Sequence, residues 1–204
     1  MATEYPVTFE VPRPQKFERP QVALRILILV LLSFLGSIFP LVYLAVPVLA
    51  AVFISHDGGA AYLQDNKMPV ILRWYLALYN YLALLTDRFP TEEPEQTFTF
   101  EWRSTGSPTV GSALLRLILS IPSAFILVVL GIVGVVVWVI AVVNILIRED
   151  YPDALYNLQL GIMRWHARLL AYHASLVEEY PPFALDTERE PVEPSAPSAP
   201  APTA

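Results

Sequence analysis

Two stretches of this chain carry no charge at all. From Ile26 to His56 there is no Asp, Glu, Lys or Arg, and from Leu117 to Ile147 there is again none. Each run is 31 residues long, far beyond the ~18 consecutive apolar residues that mark a membrane candidate. One straight helix of that length would measure roughly 46 Å, against a hydrocarbon core of about 30 Å. A single span would need a tilt near ~50°, outside the usual range. The other solution is a helical hairpin whose arms, of about 14 residues or roughly 21 Å each, enter and leave on one face. Pro40 sits near the middle of the first run; Gly131, with Gly134 close behind, sits near the middle of the second. Such residues mark turns and kinks, so the pattern predicts a hairpin tip or kink at Pro40, Gly131 and Gly134. A kinked single span is the alternative. Ser33, Ser37, Ser123 and the two glycines are small enough to let the tips pack closely.

Ahead of each run the period is two. Tyr5, Val7, Phe9 and Val11 alternate with Glu4, Thr8 and Glu10; Phe98, Phe100 and Trp102 alternate with Thr97, Thr99, Glu101 and Arg103. Each segment reads as a half-buried strand. A lone strand is unstable, so the two are expected to pair with each other or to lie on the membrane surface. Behind each run the period becomes helical. Leu155, Leu158, Ile162, Trp165, Leu169, Tyr172 and Leu176 form one stripe, and Ile71, Trp74, Leu78, Tyr81 and Leu85 form another. Each stripe predicts an amphipathic helix. Trp and Tyr on the apolar side with Arg at the flank suit a membrane interface, which makes Arg73, Trp74, Arg164, Trp165 and Arg168 candidate lipid-headgroup contacts. Packing of the two helices on each other is compatible with that placement.

The two units are related by one offset of 91 residues, without a gap. Thr8-Phe9-Glu10 returns as Thr99-Phe100-Glu101, Leu24-Arg25 as Leu115-Arg116, Arg73-Trp74 as Arg164-Trp165, Tyr81 as Tyr172 and Pro90 as Pro181. A repeat of this kind reads as a duplicated structural module. Residues 1–90 form the first membrane repeat, with its apolar run at 22–56 and amphipathic helix at 67–87. An acidic linker follows at 91–96. Residues 97–185 form the second repeat, with its run at 113–147 and helix at 153–178. The Pro/Ala-rich tail at 186–204 cannot bury a core and is expected to be disordered. The expected fold class is an all-α membrane protein with minor β.

Composition narrows the partners. The chain has 204 residues, 55% of them apolar, and a mean hydropathy of +0.50. It contains no cysteine, which excludes disulfides, thiolate catalysis and Cys-based metal sites. A net charge of −6 without a basic block argues against nucleic acid as a partner. Met1 to Phe9 lacks a basic leader region, so the first run is expected to stay in the mature protein. If both runs are hairpins, all thirteen Lys and Arg lie on one side, and that side is the cytoplasm, termini included. If they are single spans the Lys and Arg divide almost evenly, and no orientation follows.

Glu149-Asp150-Tyr151-Pro152-Asp153-Ala154-Leu155, Arg164-Trp165-His166-Ala167-Arg168, Ala171-Tyr172 and Tyr180-Pro181-Pro182-Phe183 resemble a bacterial membrane-protein family catalogued only as a domain of unknown function. Arg116-Leu117-Ile118-Leu119-Ser120-Ile121-Pro122 looks like the start of that family's apolar run. In the first repeat, Leu85-Thr86-Asp87-Arg88-Phe89-Pro90 resembles the family's ending more closely than Val177-Glu178-Glu179 does in the second. The resemblance covers most of the chain as two copies. It implies membrane location and a repeated architecture, and it supplies no catalytic residues.

Candidate chemistry is sparse. His166 and His173 are seven residues apart, about 10 Å along a helix, too far to share one metal ion. They are expected to be solvated or to face headgroups. Asp57 and Arg148-Glu149-Asp150 read as polar ends of the apolar arms, with no nucleophile placed beside them. Asn144 is the one strongly polar side chain inside the runs, positioned to bridge helices. No catalytic residue, cofactor site or metal site is expected. The expected function is non-enzymatic: a structural, membrane-shaping or accessory component of the cytoplasmic membrane, with the lipid bilayer, a membrane-protein partner or a second copy of the chain as partners. The alternative is a lipid- or small-molecule-handling accessory protein with a site between the two repeats.

Overall fold

The computed structural model describes residues 5–34, 38–65, 67–91 and 97–185. Ser37, the linker at 92–96 and the tail at 186–204 lie outside the described residues, as do the side chains of Ser33 and Pro40. Among the described residues, seven helices and one two-stranded sheet follow in the order β1 (Val7–Glu10), α1 (Arg19–Phe34), α2 (Ile38–Asp57), α3 (Gly59–Gln64), α4 (Lys67–Leu82), β2 (Thr99–Trp102), α5 (Val110–Leu119), α6 (Ile121–Arg148) and α7 (Asp153–His173).

The alternating segments become the sheet. β1 and β2 pair antiparallel, with Phe9 opposite Phe100 and Glu10 opposite Thr99. Val7, Phe9 and Phe100 are buried while Thr8 and Glu101 face out, as a period of two requires. The buried face of β1 packs on α7.

The second apolar run takes the single-helix alternative and not the hairpin. Gly131 and Gly134 lie inside one unbroken helix, α6, of 28 residues, so neither is a hairpin tip. The chain breaks instead at Ser120, between α5 and α6. Pro122 explains the position: proline at the start of a helix loses nothing, because its missing N–H had no intrahelical partner. Val and Ile around the glycines carry the helix through, which an apolar surrounding tolerates. In the first run Pro40 falls in the opening turn of α2, close to where α1 and α2 are separated by residues outside the described ones, and Pro47 lies within the same helix.

Packing crosses between the two halves of the chain. α2 packs chiefly on α5, and α1 on α6. Small buried residues, Ala50 and Ala51 of α2 and Ala113 of α5, are of the kind that lets helices approach closely. A methyl group at Gly59 would collide with the Pro108 carbonyl, so glycine is needed where the end of α2 meets the loop into α5. That loop ends in a capping box, Thr109 and Ser112 satisfying each other's backbone N–H. The Trp138 indole N–H of α6 donates to the Leu82 carbonyl at the end of α4, at 2.8 Å.

α4 and α7 end in the same way, 91 residues apart. Leu84 (φ 63°) and Ser175 (φ 57°) are left-handed. The Leu85 N–H returns to the Asn80 carbonyl at 3.0 Å and the Leu176 N–H to the Ala171 carbonyl at 3.1 Å. These closures satisfy the last carbonyls and end each helix short of the amphipathic pattern.

Burial is distributed unusually. Fifteen residues of α7 are buried, out of 21. α6 buries only Ser123, Val137, Ala141 and Ile145. Its other face exposes a stripe running from Ile121 through Phe125, Ile132 and Val139 to Ile147. α1, α2 and α5 expose similar stripes, including Leu27 and Leu31, Leu41 and Leu44, and Leu115 and Ile118.

Candidate functional site

Two buried arginines anchor the apolar helices to the ends of α4 and α7. Arg25 of α1 is fully buried, stacks 4.4 Å from the Tyr81 ring centroid, and donates to the Thr86 carbonyl at 2.5 Å and the Asp87 carboxylate at 2.7 Å. Arg116 of α5 stacks 4.4 Å from the Tyr172 centroid and donates to the carbonyls of Tyr172 and Val177, the latter at 2.7 Å. Arg116 therefore meets the carbonyl end of α7, where the backbone dipole favours a cation, Arg25 meets the segment just beyond α4, and each guanidinium covers an aromatic face. Such positions stabilise the fold and are closed to ligands.

A second polar cluster lies beneath α7. The Tyr43 hydroxyl of α2 bonds to His166 Nδ1, and the Tyr79 ring meets the same imidazole edge-on at 5.3 Å. Ser120, at the α5–α6 break, donates to the Arg116 carbonyl and also bonds to His173 Nε2. With the serine proton committed, His173 is the donor, which fixes its proton on Nε2. Burial pushes both imidazoles down to about 4, helped at His173 by the Arg116 guanidinium. The histidines are thus neutral, internal groups, not the solvated or headgroup-facing ones expected from the sequence. They are buried because the sheet covers α7 from one side and α2, α5 and α6 cover it from the others.

The remaining charged feature sits at the sheet. Arg164 of α7 chelates Glu10 of β1, its Nη2 lying 2.6 Å and 2.8 Å from the two carboxylate oxygens, and its Nε donates to the Phe9 carbonyl at 3.4 Å. Ninety-one residues earlier stands Arg73, and 91 residues after Glu10 stands Glu101. They line an open groove of about 190 Å³ together with Phe98, Thr99 and Phe100. Arg73 comes from α4, and its guanidinium lies 5.4 Å from the Trp102 ring. Trp74 beside it is 39% exposed, next to exposed Val70 and Ile71.

The candidate headgroup residues therefore separate into two groups. Arg73 and Trp74 reach the surface beside the groove. Arg164 and Trp165 do not: Arg164 is held by Glu10, and Trp165 is 1% exposed with its indole N–H on the Pro182 carbonyl at 3.0 Å. Assigning those two to headgroups is corrected by the cover that β1 and the segment after α7 lay over the helix. Arg168 stacks over Tyr5 at 5.7 Å. Asn144 returns its amide to the Ile140 carbonyl of its own helix at 2.9 Å, so it does not bridge helices. Ser123, buried, bonds to the Tyr180 hydroxyl. Glu101 and the aromatic lining of the groove were missed by sequence reasoning, although the 91-residue offset already paired Glu101 with Glu10. Among the described residues no group of three His, Cys, Asp or Glu is placed to hold a metal ion.

Residues 111–184 match the family model described as Domain of unknown function (DUF4389). The matched stretch holds most of α5, all of α6 and α7, and thus Arg116, His166, His173 and Arg164. No curated protein and no solved structure matches the chain.

Proposed function

We propose that this chain is a non-enzymatic integral component of the cytoplasmic membrane, with a structural, membrane-shaping or accessory role. The observation that carries it is the outer surface of α6. Twelve large apolar side chains of this helix are exposed, along a length of roughly 42 Å. At about 1 kcal/mol for each half-exposed side chain, their contact with water would cost roughly 10 kcal/mol, as much as the whole net stability of an ordinary domain. Lipid removes that cost. α6 is also long and apolar enough to cross a membrane, and only 17% of its apolar window is buried.

Polar groups collect at both ends of α6. Lys16 and Arg19 meet Glu149, the former at 2.5 Å, beside Arg148. Thr105 holds Glu179 at 2.6 Å in the segment following α7, near the α5–α6 break where His173 joins Ser120. The bilayer has apolar faces to occupy on α1, α2, α5 and α6, and the side proposed for the termini is the cytoplasm.

The two halves are proposed to be copies of one module related by a pseudo-twofold axis. Phe9 and Phe100, 91 residues apart, face each other in the sheet, and a twofold axis between them interchanges the pairs Thr8–Glu101 and Glu10–Thr99. The Arg25–Tyr81 and Arg116–Tyr172 stacks and the left-handed Leu84 and Ser175 support the same relation.

The test is reconstitution. The purified chain is expected to stay with the membrane after alkaline carbonate washing and to change the diameter of liposomes seen by electron microscopy. A chain that leaves liposome shape unchanged and captures no membrane partner would contradict the structural role. The groove between α4 and β2, formed by one element from each half, favours a second function: handling of a lipid or small molecule at a site between the halves.

A further inference from the structure

We infer that the outer faces of α1, α2, α5 and α6 form one surface that sinks into a single leaflet, with α6 lying along the bilayer plane and not across it. This rests on the proposed membrane location and specifies how the bilayer is met. α6 and α7 run antiparallel, side by side. The turn between Arg148 and Asp153 joins them at one end. Further along, Gly134 leaves room for the Gln159 amide, whose oxygen would lie 3.6 Å from a methyl group there. At the other end Ser120 bonds to His173, and Ser123 to Tyr180. The N-terminal segment follows the other side of α7 through the same levels. Arg13 holds Asp153, and Tyr156 donates to the Val11 carbonyl at 3.4 Å. Arg164 chelates Glu10. Arg168 stacks on Tyr5, which donates to the Glu179 carbonyl at 3.0 Å. One helix diameter, about 10 Å, therefore separates α6 from this polar segment along the whole of α7.

A crossing α6 would carry that segment into the hydrocarbon with it. The Arg164–Glu10 pair stands near the middle of α7, so it would sit close to the bilayer midplane. The two-stranded sheet would sit there too, although Thr8 and Glu101 face outward from it and Arg103 beside it is exposed. An open sheet facing lipid does not occur at that depth, because its polar backbone has no water to bond, and charges there are costly. Laid flat, the same fold needs neither. The charged sheet side stays in water, and the outer faces of the uncharged runs enter the acyl chains. The length of α6, roughly 42 Å, exceeds a hydrocarbon core of about 30 Å but meets no limit along the plane. Insertion into one leaflet displaces lipid on that side alone, which is the asymmetry that a membrane-shaping role requires.

Labelling of the full chain, expressed in a bacterial host, with a membrane-impermeant maleimide tests this, because the chain contains no cysteine of its own. Three exposed positions report. Asp150→Cys lies at the C-terminal end of α6, Glu179→Cys beside its N-terminal end, and Glu101→Cys on the sheet. Each variant is treated in spheroplasts and in inside-out vesicles. All three are expected to react in the same one of the two preparations and to stay at background in the other. Reaction of positions 150 and 179 from opposite sides would overturn the inference. So would protection of position 101 in both preparations while the two ends react. Phe183→Cys, also exposed, reports on the end of α6 near Tyr180 in the same way if loss of the Glu179 contact with Thr105 unfolds that variant. Failure of the membrane location would show separately, as a wild-type chain recovered in the soluble fraction of the lysed host, and it would remove this inference as well.

Discussion

Helices α6 and α7 are neighbours in the chain and have opposite surroundings. α6 is apolar on all sides and lies on the outside, with four buried residues among 28. α7 carries two histidines, an arginine and a glutamine among its buried residues and forms the centre of the fold. In water the arrangement would be reversed, because apolar surface goes inside and polar groups go out. The inversion is economical in the apolar medium that the proposed membrane location supplies. The interior can then hold polar groups where hydrogen bonds offset their burial, as Tyr43 and Ser120 do for one ring nitrogen of each histidine.

Breaking the inner helix should have the largest effect. Trp165→Ala removes a side chain that is 1% exposed and should cost about 3–5 kcal/mol, read as a large drop in melting temperature in detergent micelles. A small drop would mean that α7 is not the centre of the fold. Breaking the outer helix comes next. Ile132→Arg places a charge midway along α6, where it is 64% exposed, and should cost about 3 kcal/mol of membrane insertion. The check is the fraction retained in membranes after carbonate washing. An unchanged fraction would move this face of α6 out of lipid.

A smaller effect belongs to the Arg164–Glu10 pair. Arg164→Gln should destabilise by roughly 1–2 kcal/mol, since the guanidinium is buried and its partner half exposed, read as a modest drop in melting temperature. An unchanged melting temperature would mean that this pair does not hold β1 to α7. The smallest effect is that of pH. Burial lowers both histidines to about 4 in the fold, against about 6.5 in the unfolded chain. The unfolded state therefore binds protons first, and stability falls as pH drops below about 6.5. Between pH 7.5 and pH 6 the loss should be about 1 kcal/mol per histidine, and the double variant His166→Gln with His173→Gln should abolish the slope. A slope that persists in that variant would place the titration elsewhere.

Much of this was legible in the chain. The alternation around Phe9 and Phe100 predicted strands, and pairing with each other was one of their two expected fates. The uncharged runs announced helices that seek an apolar surrounding, and the offset had already paired Arg25 with Arg116 and Tyr81 with Tyr172. Their stacking was not legible, because periodicity says nothing about which buried arginine lies over which ring. The break at Ser120 was obscured by the glycines at 131 and 134. Glycine signals a turn in water, but in an apolar helix flanked by Val and Ile it does not stop propagation, whereas Pro122 starts a helix. The amphipathic stripe of α7 was read correctly as a helix and incorrectly as an interfacial one for Arg164 and Trp165. One apolar face suits a lipid surface and a protein core equally, and only the sheet laid across the polar side distinguishes them. The groove was hidden for a related reason: Arg73 and Arg164 have the same sequence context, and the packing of α4 and α7 against the strands is what separates them.

The most direct measurement is spin-label accessibility on the outer face of α6. The chain contains no cysteine, so Ile132→Cys gives a single labelled site in liposomes. Greater relaxation by oxygen than by a water-soluble nickel chelate at this position, reversing at Glu149→Cys, is the predicted result. A label at position 132 that the nickel chelate reaches as readily as it reaches position 149 would contradict the lipid-facing placement of α6, and with it the membrane role.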